Sequence, residues 1–581
     1  MLVTLLLAVV TRNYVELCGF QRQLDVTRSL PDKGRSQHLC YGADLSYAFP
    51  DSQGQNEAPA KAAHADCAWR CVMEYDDIIV GAGSSGAVLA ARLSEEPGRA
   101  VLLLEAGPDY STVEQTPADL LHTWVSAGPH DWRLFAQATP AREIPYPRGK
   151  VTGGCSAVNG HIALRGTPQD FDEWAAWGNR EWSFEQVLPF HRRLEDDRDA
   201  RGDFHGIGGP IWIERPRPES WQPLNRAFFE AARSAGYAEV WDHNDPDSTG
   251  IGPWPRNRRD GIRISTAIGY LAPARHRLNL MIRPNVNARR VIIEDGRAAG
   301  VEVECAGAIQ LVRGRRVTLS AGAIHSPALL MRSGIGPRDE LAALGIECQI
   351  NLPGVGRNLI DHLMVFVVAT PLAGIPHDPQ VTNPVGIRYT ATGSDEFNDM
   401  QMYVFDLFDS SLAPGVALDL PVPSVSVVPG LQRPRSRGRL RLRSANPDIP
   451  PMIDLNYLDD PEDLHRMADG VRIAWRLMHD GHFAPMLKEI VNLTAEVVNS
   501  DLALEAFLRD NCTTIFHPVG TAKMGPESDP MAVVDQYCRV RGVVGLRVVD
   551  ASVMPNIVRA NTNVTCMMIG ERVAEWMRTQ D

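Results

Sequence analysis

From Tyr75 to Gly107 the chain runs apolar, small, apolar. A hydrophobic stretch (Ile78, Ile79, Val80) enters Gly81-x-Gly83-x-x-Gly86, a helical segment follows from Ala87 to Leu93, and a second apolar run, Val101 to Leu104, ends on Glu105. Short apolar runs bounded by turn residues predict buried strands, so the pattern reads strand, turn, helix, strand. In such a unit the first glycine allows the tight turn, the second lets backbone approach a pyrophosphate, and the third permits close packing. The helix start presents free N–H groups and the positive end of its dipole to phosphates. Glu105 lies 19 residues beyond Gly86. A carboxylate there can accept hydrogen bonds from both ribose hydroxyls and would repel a 2′-phosphate.

The same kind of patterning continues downstream. Val317 to Ala321 reads as a strand returning to the nucleotide-binding sheet, followed by a small-residue turn and a helix ended by Gly334; Leu546 to Val549, ending on Asp550, predicts a last strand of that sheet. Alternation at Val425–Val428 and Arg439–Arg443 predicts half-buried strands of an antiparallel sheet. The arginines at 433, 435, 437, 439, 441 and 443 are read as the solvated face of such a strand. Segments 165–285 and 337–535, rich in proline and irregular loops, have the character of a second, substrate-binding domain. Near the chain end, Val564, Met567, Met568, Val573 and Trp576 mark the buried face of a helix from Val564 to Met577, with Thr562 and Asn563 as its expected caps.

Composition narrows the function. A chain of 581 residues with 44% hydrophobic and 22% charged residues can bury a large core and hold more than one domain. A net charge of −13 argues against nucleic acid as a partner. The sequence also lacks an apolar run of the ~18 residues that a membrane-crossing helix needs. Residues 1–73 are read as a leader, disordered or preceding the true start, with Met73 immediately ahead of the first strand. Four cysteines fall in that leader and six are scattered over the body without a CxxC pair, which predicts free thiols in a reducing compartment and no metal site. The expected location is cytoplasmic, with peripheral attachment to a membrane as an alternative.

A second glycine-rich loop, Arg148-Gly-Lys-Val-Thr-Gly-Gly-Cys-Ser-Ala-Val-Asn-Gly, brings backbone and the polar Ser156 and Asn159 close to something flat or charged. Together with the first glycine motif, SAGAIHSPALLMRSGIGP (320–337), PGVGRNLIDH (353–362), HPVGT (517–521) and Asp550 to Asn563, this loop resembles the glucose–methanol–choline (GMC) oxidoreductases. The match runs in the family's order over 74–581 and is nearest the choline dehydrogenase and choline oxidase branch. The resemblance implies an α/β fold (α+β overall). A Rossmann-like FAD-binding domain would be assembled from separated segments, beside a substrate domain built on an antiparallel sheet with flanking helices. The implied boundaries are 74–336 for most of the FAD-binding domain, 337–433 for a substrate-domain segment, and 434–581 for the C-terminal region.

By that resemblance FAD would be held by Gly81, Gly83, Ser84, Ser85 and Gly86 in the first turn, and by Glu105 and Ala106 after the second strand. Gly153, Gly154 and Asn159 of the second loop, Ala288, Ala321 and Gly322 in the middle, and Asp550, Ala551 and Asn563 near the end complete the expected set. Hydride release from an alcohol needs a base for the hydroxyl proton, and His517 occupies the family's position for it. Asn561 would donate a hydrogen bond to the substrate oxygen without competing for the proton. In the flavinylated branch a histidine precedes the loop asparagine; here Val158 stands there, which predicts FAD held non-covalently. His362 is expected to be a packing neighbour of the site, and Phe516 an apolar wall. The expected reaction is oxidation of a primary alcohol, aliphatic or aryl, to an aldehyde. Choline dehydrogenation specifically, a lyase of the hydroxynitrile type with structural FAD, and a flavoprotein that binds without turnover remain alternatives. The expected partners are a small-molecule alcohol and an electron acceptor (oxygen, a quinone or a carrier protein), with oligomer formation left open.

Overall fold

Strand β1 (Tyr75–Val80) forms the centre of the nucleotide-binding sheet: its half at Ile78, Ile79 and Val80 is apolar on both faces, as a parallel strand covered on two sides requires, and the buried Asp77 is paired with Arg99 and Arg316. It pairs in parallel with β2 (Val101–Leu104) on one side, Ile78 facing Leu102. Beyond β2 lies β3 (Leu280–Arg283), also parallel. On the other side β1 meets the second half of a long strand, Ala308–Leu319, with Ile78 facing Val317. The first half of that strand belongs to an antiparallel meander with β4 (Asn287–Glu294) and β5 (Arg297–Cys305), and the long strand is β6. The last strand, β7 (Leu546–Val548), closes the parallel part against β6. Three distant stretches of chain therefore share one sheet, as the sequence pattern predicts. The computed structural model describes residues 74–122, 128–376, 384–408 and 423–580, so the expectation for the leader lies outside the described residues. The described residues belong to one unit, Lys61–Asp581.

Helix α1 (Ser84–Leu93) follows the glycine turn, and helix α2 (Gly322–Arg332) follows β6. A long helix, Pro461–Met478 (α3), covers the second sheet, and the C-terminal helix α4 (Thr562–Thr579) packs on α1. The α1–α4 crossing is close because Gly570 leaves out a side chain: a Cβ there would sit 3.0 Å from both Ser85 O and Val88 Cβ. Ser85 Oγ donates to Cys566 O at 2.7 Å across the same contact.

The second sheet is antiparallel, its strands running in the order 487–490, 367–371, 424–431, 400–408, 385–389 and 250–253, with 363–364 pairing 424–431 and 513–514. Strand Ser424–Leu431 is buried at every position rather than half-buried, since it lies mid-sheet with α3 across it. Gly470 of α3 makes that contact possible; a Cβ would meet Met400 and Pro429 within 3 Å. Arg439–Arg441 belongs to a different, four-stranded sheet. The arginine ribbon is likewise no uniform solvated face: Arg433 is buried and paired with Glu173, whereas Arg435, Arg439 and Arg443 are exposed. Helix α4 begins at Thr562 with Asn561 as its N-cap residue, one turn position ahead of the expected caps. Among the body cysteines, five are free and Cys305, at the end of β5, is disulfide-bonded, so the expectation of free thiols fails at that position.

Candidate active site

A cleft runs from the glycine turn of β1–α1 to the second sheet. Its first wall is made by glycines that each answer a different steric demand. Gly81 has φ +100°, and a Cβ on it would lie 2.5 Å from Ser320 O. A Cβ on Gly86 would strike Gly81 O at 1.9 Å, so its role is packing and it does not line the cleft. Gly83 differs: its nearest neighbour would be Gly154 Cα at 3.9 Å, leaving its face open to the cleft. In the other direction, a Cβ on Gly154 would meet Gly83 Cα at 2.7 Å, so the two glycine loops dock on one another. Gly153 fixes that docking through its N–H to Ala82 O at 2.8 Å and stays out of the cleft lining. Ser84 and Ser85 line the start of α1, which has no side-chain cap. Its first N–H groups are thus left for a ligand.

Two carboxylates anchor the rest. Glu105 accepts from Ala82 N at 3.0 Å and Gly107 N at 2.8 Å, and burial pushes its pKa up to about 7 despite these donors. Asp550, following β7, accepts from Gly322 N, Ser326 Oγ and the N–H and hydroxyl of Ser552, again with burial raising its pKa. Ala106, Ala288, Ala321, Gly322, Ala551 and Asn563 line the same cleft, and Asn563 is held to α1 by Ser84 Oγ, which donates to its Oδ1 at 2.7 Å. The buried Asn563 Nδ2 is without a protein partner. These features fit FAD: an open glycine cradle, an uncapped helix start, carboxylates for hydroxyls and an orphaned amide donor. Asn159 lines the cleft while its Oδ1 accepts from His161 N at 3.1 Å. Ser156 does not reach the cleft, since its hydroxyl donates to Gly153 O at 2.6 Å and contacts Thr266 Oγ1 at 2.9 Å. Val158 packs in a small apolar cluster with Leu120 and Val151.

At the far end His517 and Asn561 come together from positions 44 residues apart, with His517 Nε2 and Asn561 Nδ2 separated by 3.2 Å. Both line the cleft, with Met364, Tyr403, Phe405, Ile515 and Phe516 forming an apolar wall from the second sheet and its neighbours. Burial, then His362 and the Arg148 guanidinium, hold the His517 pKa well below the usual histidine range. His362 is a direct neighbour of His517 rather than ordinary packing: its Nδ1 lies 2.9 Å from Nδ1 of His517.

The preceding residue, Asp361, was not among the expected site residues. Its carboxylate accepts from Tyr146 OH (2.6 Å), Thr514 Oγ1 (2.7 Å), Tyr457 OH (2.9 Å) and the backbone N–H of His517 (2.7 Å). The Asp361–His362 pair therefore grips His517 by backbone and by ring. Arg148, also missed, donates to Phe516 O at 2.8 Å. That residue has φ +68°, a left-handed conformation uncommon for a bulky side chain, so the donors around it hold the histidine loop in a sparsely populated shape. The Asp-His pair and the arginine opening the second glycine loop were visible signals, but their partners are hundreds of residues away.

Comparison with known proteins agrees with this geometry. A family model for GMC oxidoreductases matches residues 75–364, and a second of the same description matches 434–570. The chain is 34% identical over 538 residues to an oxygen-dependent choline dehydrogenase of Brucella anthropi, covering 87% of this chain and 95% of that protein. Among solved structures, pyridoxine 4-oxidase from Mesorbium loti superposes with a TM-score of 0.81 at 31% identity, covering 87% of this chain and 100% of the other. Formate oxidase of Aspergillus oryzae gives 0.79 at 26% identity, covering 87% and 98%. Two glycine loops docked at one cleft, a histidine–asparagine pair at its end, and family matches across both halves lead to one assignment: the chain is an FAD-dependent oxidoreductase belonging to the GMC oxidoreductase family.

Proposed function

We propose that the protein oxidises a primary alcohol to an aldehyde, with His517 as the base, Asn561 as the hydrogen-bond donor to the substrate oxygen, and FAD bound without a covalent tether. The observation that carries this reading is the 3.2 Å meeting of His517 Nε2 and Asn561 Nδ2 on a cleft that also holds the nucleotide-binding glycines. FAD, when bound, supplies the acceptor for the hydride. His517 is kept neutral by its surroundings, so Nε2 is free to take the hydroxyl proton. Asn561 Oδ1 is buried without a partner, while its Nδ2 is positioned to donate to a substrate oxygen as negative charge develops there. Phe405, Met364 and Ile515 exclude water from this end. Val158, which lines the cleft and packs with Leu120 and Val151, supports non-covalent binding because its hydrocarbon side chain offers no atom that could bond to the ring.

The apolar wall favours an aliphatic or aryl alcohol. Choline is the second reading, supported by the choline dehydrogenase relative and by the rings of Tyr403 and Phe405, which can face a quaternary ammonium. Purified holoenzyme mixed anaerobically with benzyl alcohol, 1-hexanol and choline tests both. Bleaching of the flavin absorbance with aldehyde release supports alcohol oxidation and identifies the class. Product without bleaching, or no bleaching with a wide alcohol panel, would refute it. Release of the yellow chromophore on acid precipitation checks the tether, and reoxidation by oxygen, a quinone or a carrier protein identifies the electron acceptor.

A further inference from the structure

We infer that His362 is a positioning residue for His517: it accepts the Nδ1 proton of that ring, fixes its tautomer, and thereby keeps the Nε2 lone pair on the cleft side. This rests on the reading of His517 as the base.

The geometry leaves one consistent placement of protons. Two imidazole nitrogens 2.9 Å apart must share a proton, with one donating and the other accepting. The rings meet edge to face, at 90° with centroids 5.1 Å apart, so neither Nδ1 is stacked away from the other. If His517 donates, its Nε2 carries the lone pair, which is what the Asn561 amide N–H at 3.2 Å requires. His362 must then carry its own proton on Nε2, a buried atom without a hydrogen-bond partner, and the backbone of Gln432 and Val558 favours a proton on that ring. The opposite placement would set Nε2–H of His517 against the amide hydrogens of Asn561. The direction of the row is thus set by the Asn561 amide, whose Nδ2 rather than Oδ1 faces His517 Nε2. Every donor therefore points one way along the row Asn561, His517, His362.

A neutral imidazole in this place does something that a carboxylate would not. A carboxylate behind a catalytic histidine fixes the tautomer and also stabilises the imidazolium. His362 fixes the tautomer alone. The other groups facing His517 do not supply the missing negative charge: Arg148 is a cation, Asn561 is neutral, and Asp361 meets the backbone N–H of His517 while its carboxylate is engaged by Tyr146, Tyr457 and Thr514. When the substrate hydroxyl proton moves to Nε2, the Nδ1 proton stays on His517 and its bond to His362 persists. The base is then a weak one that gives the proton up readily once product has formed.

The experiment uses holoenzyme labelled with ¹⁵N-histidine, in the parent and in His362→Leu, His362→Asn and His362→Asp, with His517→Gln to assign the signals. At neutral pH the parent is expected to show His517 with Nδ1 protonated and Nε2 bare. The asparagine variant, whose Oδ1 takes the place of Nδ1 as acceptor, keeps that tautomer; the leucine variant shows both. With benzyl alcohol as the probe, kcat falls ~100-fold in the leucine variant and less than ~10-fold in the asparagine variant, with KM changed less than ~3-fold. His362→Asp moves the acid limb of kcat/KM to higher pH by about one unit or more, because an anion now faces the imidazolium. Bound-flavin absorbance checks that each variant is folded. An Nε2-protonated His517 in the parent, or a flavin-loaded leucine variant with the parent's tautomer and pH profile, overturns the inference. Turnover that survives His517→Gln sinks the base assignment instead, and the labelled spectrum of His362 distinguishes the two failures.

Discussion

The chain buries histidines in two opposite electrostatic settings, and the contrast shows how neighbours decide what one side chain does. Around His205 the surroundings are charged. Its Nε2 lies 2.8 Å from Asp242 Oδ2 and its Nδ1 3.3 Å from Asp197 Oδ2, while Arg215 bridges the same two carboxylates at 2.9 and 2.6 Å. Burial opposes the charged ring, but hydrogen bonds to Asp197 and Asp242 overcome it and lift the pKa to about 9. Around His517 the partner is another neutral imidazole and the nearest charge is a cation, so burial wins and the proton is excluded. One histidine is held charged by its neighbours; the other is held neutral, as the proposed base must be. Glu195, Asp197 and His205 also converge closely enough to ligate a metal ion. The guanidinium groups of Arg165 and Arg215 occupy these carboxylates instead, which makes the cluster a charge network.

The sharpest break of the contrast is at the neutral histidine. His517→Ala removes the proton acceptor and is expected to lower kcat by ~10²- to 10⁴-fold while flavin content and thermal stability stay near the parent's. Anaerobic stopped-flow reduction by an accepted alcohol measures it, and a loss of less than ~10-fold removes His517 from its role. At the charged histidine the effect falls on folding. Arg215→Leu leaves Asp197 and Asp242 buried with half their compensation, which costs ~3–5 kcal/mol and should lower the melting temperature without changing kcat of the folded enzyme. A melting curve superimposable on the parent's would show that the network carries no net stability.

pH separates the two settings by sign. His205 has a raised native pKa, so its contribution is complete below about pH 6.5 and is lost as pH rises through about 9. The neutral histidines behave in reverse. Burial holds His243, His325 and His362 down to about 3, and the unfolded chain takes up protons at these positions that the native state refuses. Their contribution is present above about pH 6.5 and falls away toward pH 3 by about 1.4 kcal/mol per unit for each group. Urea unfolding at pH 4.5, 7 and 10 should give a maximum at the middle value, and the alkaline decline should be smaller in His205→Leu, the remainder coming from buried thiols and phenols such as Cys512 and Tyr270 whose pKa values are also raised.

Much of the nucleotide-binding half was legible because its physics is local: a tight turn demands Gly81 within a few residues of the strand it ends, and a parallel strand covered on both faces shows as a short apolar run such as Val101–Leu104 or residues 78–80. His517 and Asn561 were legible only through resemblance to a family, since nothing in their immediate sequence says that residues 44 apart meet at 3.2 Å. The supporting groups were harder still. Asp361 draws its four donors from three separate stretches of chain, and the ring of His362 is turned toward His517 by a fold that neighbouring residues do not encode. Strand 424–431 was misjudged for a related reason: alternation of serine and valine looks half-exposed, yet a serine can be buried mid-sheet when a helix crosses above it.

The arginine ribbon sharpens the same contrast with the smallest effect. Arg433 is buried, with Glu173 at 2.7 Å and Glu396 at 3.5 Å, and it donates to Ile557 O at 2.9 Å close to the loop that carries Asn561. Arg439, six positions on, is paired with Asp454 at 3.2 Å but its side chain is 44% exposed. Water screens that pair, and ordering a long side chain offsets most of the attraction. Arg439→Gln should therefore change unfolding free energy by no more than about 0.5 kcal/mol, and salt should abolish even that difference. A loss as large as that expected for Arg215→Leu would mean that exposure does not govern the worth of a charge in this protein, and the distinction drawn between His205 and His517 would lose its physical basis.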